Sequence, residues 1–162
     1  MSSIKSNLNL IKLLELERPP VFDTLFISEI EKIYNGAGPD WMSEFSRSVL
    51  TLLLRYYAPA FIIHDVEFEM NDDTENTDRN WQRFEDCNDR MWRNIQKLNA
   101  YIFAWYNPRK YWWLLKGWLA YQACQKFGFS AWCSIEAERN IQVISVKKSL
   151  ALEENNKEAD YA

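Results

Sequence analysis

Ala60-Phe61-Ile62-Ile63-His64-Asp65-Val66-Glu67-Phe68 carries the sole histidine of the chain, with an acid directly after it and apolar residues around both. Spacings of three and four put Phe61, His64, Asp65 and Phe68 on one side of a helix. Ile62, Ile63 and Val66 take the other sides. A helix that is apolar nearly all round is a buried helix. An imidazole and a carboxylate are therefore carried inward, and a desolvated carboxylate needs a partner: a base, a hydrogen-bond donor or a metal.

The remaining sequence fits a helical globule around this segment. Hydrophobic residues make up 48% and aromatic residues 15%, which excludes a disordered chain. Only four glycines and five prolines interrupt it, and most segments repeat their apolar residues with helical period. The expectation is all-α: a single-domain helical bundle over residues 1–152, with 153–162 a frayed polar tail. A net charge of -4 argues against a nucleic-acid partner. Cys87, Cys124 and Cys133 lack zinc-site or CxxC spacing and read as reduced, buried thiols. The N-terminus shows no secretory pattern, and Pro108, Arg109, Lys110 and Lys116 break the most apolar region, Tyr101 to Phe129. A cytoplasmic or virion-associated location is expected.

In chain order, Ile4 to Glu17 predicts an amphipathic helix stopped by Pro19-Pro20. Phe22 to Tyr34 predicts a second, with Leu25, Phe26, Ile30 and Ile33 on one face and Asp23 or Thr24 as N-cap. Gly36 and Gly38 mark a tight loop, Tyr34 to Pro39. A helix to about Tyr57 follows, and Pro59 marks a break or kink before the His64 helix. Met70 to Thr77 is an acidic loop. The next helix is expected from Asp78 to about Trp105, its seam made by Trp81, Phe84, Met91, Ile95, Leu98, Ile102 and Trp105, with Asn88 as polar member. Beyond the Asn107-Pro108 turn, a helix from Lys110 to Phe127 ends at Gly128 as C-terminal cap. Ser130 to Leu152 has no strong period, and Ile141 to Val146 is a short strand or part of a helix.

A glycine-containing turn, a buried His-Asp pair and a later acid thus follow one another. If the His64 helix and the Asp78 helix form a central antiparallel pair across the acidic loop, Asp78 approaches the C-terminal half of the first. This order resembles secreted and viral phospholipases A2, in which a glycine-rich calcium loop precedes a His-Asp-x-x-Tyr helix and a later helix supplies a second Asp. The matching residues are Tyr34-Asn-Gly-Ala-Gly-Pro39, His64-Asp-Val-Glu-Phe68 and Asp78. The Thr77 to Trp81 run is also similar to small phage-encoded proteins with the His-Asp signature. The resemblance spans Ile33 to Phe84. It implies that His64 is a general base oriented by Asp78. It implies Ca²⁺ held by Asp65 with carbonyls of Tyr34, Gly36 and Gly38, an ester substrate beside Phe61 and Phe68, and an oxyanion stabilised by the ion. The chain departs from the family at Phe68, which replaces the tyrosine, in having two loop glycines, and in lacking the disulfide set.

Other readings stand beside it. His64 is also read as a core histidine bonded to a neighbour, Asp78 as an acid favoured at a helix start, and the glycines as a helix-ending turn. Asp72 to Asp78 fails as an EF-hand because its central glycine is missing. The cluster Trp105, Tyr106, Tyr111, Trp112, Trp113, Trp118 and Tyr121 reads as core and subunit interface, or as a lipid-facing patch flanked by Arg109, Lys110 and Lys116. Adjacent Trp112 and Trp113 cannot both face one core. The two functional expectations are a calcium-assisted, phospholipase A2-like ester hydrolase or degenerate relative, and a non-catalytic helical protein of phage or prophage type. The second acts through its aromatic surface as a homo-oligomer or a structural subunit.

Overall fold

The computed structural model describes residues 4–34, 54–71, 75–130 and 132–133, and every element among them is helical. Helix α1 is Ile4–Leu13. A 3-10 turn, Pro20–Thr24, leads to α2, Ile27–Ile33. A second 3-10 turn, Arg55–Tyr57, runs into α3, Ala58–Glu69. Helix α4 is Asp78–Ile102. Residues 109–130 form α5. The Gly36-Gly38 turn, most of the helix expected before Tyr57, and Ile141 to Val146 lie outside the described residues.

Helix α3 is the centre. Ala58 to His64 and Val66 are all buried, as an all-round apolar helix requires. Pro59 stands in its first turn, where its missing N–H costs nothing, so it starts the helix and no kink follows. The core joins Phe61, Ile62, Ile63 and Val66 to Ile11, Leu16, Phe22 and Ile30 on one side and to Met91, Ile95 and Leu98 of α4 on the other. A smaller cluster of Phe84, Cys87 and Trp132 packs with Phe68 and Phe129.

Helix α1 ends four residues before Glu17. Glu15 turns left-handed at φ 47°. The Leu16 amide then bonds the Ile11 carbonyl and the Glu15 amide the Lys12 carbonyl, both within 3.1 Å. This is a Schellman ending with buried Leu16 against buried Ile11, made without the glycine that would have announced it. The second expected helix also splits. Leu25 and Phe26 are extended, and the Glu29 carboxylate reaches back 2.7 Å to the Phe26 amide to start α2. Phe26 is 75% exposed and so falls off the expected face.

Thr77 caps α4 through its hydroxyl, which accepts from the Asn80 amide at 3.1 Å. Phe84, Met91, Ile95 and Leu98 are buried as the seam predicts, but Trp81 and Trp105 are exposed. The helix stops at Ile102 because Phe103 turns extended to enter the core, so Trp105 belongs to the following turn. Asn107 accepts from the Arg109 amide at 3.0 Å, and Pro108 precedes the first turn of α5. Gly128 lies within α5, not beyond its end. A Cβ there would stand 3.1 Å from the Phe84 ring, and one at Gly117 only 2.6 Å from Ile95 Cγ2. Both glycines serve close approach of α5 to the α3–α4 pair.

Candidate functional site

The polar side of the α3–α4 contact is built from asparagines. Asn80, Asn88, Asn94 and Asn99 are all buried along α4. Each holds a different partner. The Tyr57 hydroxyl donates to Asn99 Oδ1 at 2.8 Å. Asn94 accepts from the Glu17 amide at 2.9 Å and donates to the Glu17 carbonyl at 2.7 Å. The Trp132 indole donates to Asn80 Oδ1 at 2.6 Å. Asn88 holds His64. Asn88 is legible as the polar member of the α4 seam, whereas Asn80, Asn94 and Asn99 carry no apolar signal of their own. Four asparagines recurring on the apolar side of α4 were the available signal.

Asn88 Nδ2 donates to the Phe84 carbonyl at 3.1 Å, which leaves Oδ1 to face His64 Nε2 at 3.0 Å. The proton therefore resides on Nε2. His64 Nδ1 faces Asp65 Oδ1 at 3.4 Å, a contact that becomes a hydrogen bond only when Nδ1 is protonated too. The ring is 7% exposed and lies 4.4 Å, centroid to centroid, from Phe68. A general base needs a lone pair turned toward the proton it takes. Here one nitrogen is a donor to Asn88 and the other is turned onto a carboxylate.

Contacts of α4 with α3 and with the 3-10 turn before it pair Tyr57 with Asn99, His64 with Asn88 and Phe68 with Phe84, so the order runs in opposite senses along the two segments. Asp78 is ten residues before Asn88 on α4, about 15 Å along the axis. It is exposed in the first turn, where an acid suits the helix dipole. The expected dyad is thus replaced: the imidazole meets Asn88, and Asp78 lies beyond its reach.

Of the expected calcium ligands, Tyr34 meets Asp65 through the charge felt by its phenol, not through the carbonyl that the resemblance implies. Tyr34 and Asp65 are neighbours. Burial and then the Asp65 charge raise the Tyr34 phenol from 10.0 to about 12. The same two causes raise the Cys124 thiol from 9.0 to about 12. Gly36 and Gly38 lie outside the described residues. Among the described residues no three His, Cys, Asp or Glu side chains gather to hold a metal. Phe61 is buried in the main core, and Phe68 packs edge-on to Trp132 and Phe84. Two clefts open elsewhere. One, of about 220 Å³, is lined by Pro19, Glu67, Met70, Arg83, Arg90 and Trp132 among others. The second lies between α1 and α2. His64 lines neither.

The other candidate is the outer side of α5. Compared with protein-family models, curated proteins and solved structures, the chain matches none. The site is therefore weighed on geometry alone. Gly117, Ala120, Tyr121 and Cys124 turn toward the core, with Trp113 held edge-on by Tyr56 at 4.5 Å. Tyr111, Trp112, Leu115, Trp118 and Leu119, spaced three and four apart on the opposite side, are 43–68% exposed. Trp105 and Tyr106 extend this face at 79% and 74%. A surface helix ordinarily turns polar residues to solvent, whereas between Tyr111 and Leu119 this one turns out apolar ones. The Lys116 ammonium sits 4.1 Å over the Trp113 ring and 5.3 Å from that of Trp112, which binds the two faces of the helix together.

Proposed function

We propose that this protein is a non-catalytic helical interaction module whose working surface is the outer face of α5. The observation that carries this reading is the row Tyr111, Trp112, Leu115, Trp118 and Leu119, held in solvent by a helix whose inner side is already filled. Apolar surface of that extent is stable only when something covers it. The ester-hydrolase reading asks for a ring nitrogen presented to a substrate, and His64 offers neither of its own. Its role here is to join α3 to α4.

Without another acceptor, such faces cover one another. Sedimentation velocity of the full chain is expected to show concentration-dependent association. Trp112→Glu with Leu119→Glu is expected to return it to the monomer, and His64→Gln to leave association unchanged. Calcium-dependent hydrolysis of phospholipid micelles that disappears in His64→Ala would overturn the proposal.

A further inference from the structure

The charge of this chain is divided along its length. From Arg90 to Ile135 there is no aspartate or glutamate, and seven of the 19 Lys and Arg fall there. All 23 acids and the other 12 bases lie outside that stretch, so the net charge of -4 combines a segment of +7 with a remainder of -11. The basic segment contains α5 and the turn before it. Arg109, Lys110 and Lys116 lie in the N-terminal half of α5; helical spacing puts Arg109 and Lys116 on one flank of the aromatic row, with the Lys116 ammonium 5.3 Å from the Trp112 ring. The nearest α4 acid, Asp89, accepts from the Tyr121 hydroxyl at 2.8 Å, on the side of α5 away from Leu115 and Leu119.

Building on the α5 docking face proposed above, we infer that its partner is an anionic lipid surface. The helix would lie in the plane of the headgroups. Tryptophan and tyrosine suit that layer because their rings are apolar and their N–H and O–H groups stay wet. Leu115 and Leu119 supply the deeper apolar contact. Arg109, Lys110 and Lys116 reach headgroup phosphates along flexible stems. Among the described residues no helix is long and apolar enough to cross a membrane, so contact is made along the surface. A single-stranded nucleic acid would also welcome aromatic and basic groups. The two leucines, exposed within the aromatic row, favour lipid.

The test is co-sedimentation of the full chain with vesicles of phosphatidylcholine alone, and of phosphatidylcholine with about one-third phosphatidylserine. The protein is expected to bind the anionic vesicles, to release at high salt, and to shift its tryptophan emission to the blue on binding. Arg109→Gln, Lys110→Gln and Lys116→Gln together are expected to weaken binding roughly a hundredfold, about fivefold for each basic group. Trp112→Ser with Trp118→Ser should abolish it. These side chains are largely on the surface, and an unchanged circular-dichroism melt shows that each variant is folded. Leu115→Glu gives a second, independent break of the face. Equal binding to both vesicle types, retention of binding in the Gln triple variant, or displacement by a single-stranded oligonucleotide that binds more tightly would each overturn the inference. If vesicles are ignored while self-association still depends on Trp112 and Leu119, the lipid partner fails and the docking face stands.

Discussion

His64 shows how one hydrogen bond decides between chemistry and architecture. A lone histidine beside an aspartate invites a proton-transfer role. The deciding group is Asn88, whose amide nitrogen is committed to the Phe84 carbonyl and whose oxygen is therefore turned to the imidazole. Both partners are buried, so removing either leaves the other unsatisfied in a place water does not reach. Asn88→Ala is expected to destabilise the fold by about 1–3 kcal/mol. A double-mutant cycle with His64→Ala should return a coupling of about 1 kcal/mol or more, because the second truncation removes the orphan created by the first. Urea unfolding of the four proteins measures it. A coupling near zero would mean that the imidazole and the carboxamide are not partners.

At the scale of helices, periodicity made α3 and the apolar seam of α4 legible, because each is decided by which residues avoid water. Endings were less legible. Glu15 takes a left-handed turn that nothing in its side chain announces, and Phe103 leaves α4 early to reach the core. The His-Asp pair is legible, and so is a core histidine bonded to a neighbour, but spacing and the resemblance point to Asp78 and not to Asn88, the polar member of the seam. Asparagine carries no charge to draw attention, and only the packing of two helices shows which one faces the ring. Gly128 differs from its expected role for a related reason: a C-cap is a local signal, whereas close approach depends on a neighbour distant in sequence. Gly117 makes this testable. A Cβ there would meet Ile95 Cγ2 at 2.6 Å, and that methyl hangs directly from a β-branched carbon inside the core, so it cannot swing aside. Overpacking costs about 1–3 kcal/mol, against about 1 kcal/mol gained from alanine's helix propensity. Gly117→Ala is thus expected to lower stability by up to about 2 kcal/mol. Gly128→Ala, at 3.1 Å from a ring edge, should cost less. If Gly117→Ala were the more stable protein in thermal melts, α5 would not sit this close to α4.

Across the whole molecule, the groups that resist ionisation share one sign of response to pH. Burial, followed by Asp65, moves Cys124 from 9.0 to about 12 and Tyr34 from 10.0 to about 12. Burial, with Glu67 next, pushes Cys87 well above its ordinary 9.0, and burial alone raises Tyr57. All four hold their protons more tightly when folded than when unfolded. Their contribution to stability is complete below the unfolded values and is lost as pH rises from about 9 toward 12, since the unfolded chain then binds fewer protons. Each group ionised only in the unfolded state steepens the loss by about 1.4 kcal/mol per pH unit. Urea midpoints should therefore hold steady to about pH 8.5 and fall increasingly up to pH 11. Cys124→Ala removes one thiol from the sum, so its midpoint is expected to fall less steeply between pH 9 and 11 than that of the wild type. Parallel curves for the two proteins would show that the Cys124 thiol is not held protonated in the folded state, and would remove the burial of Cys124 from which most of that shift arises.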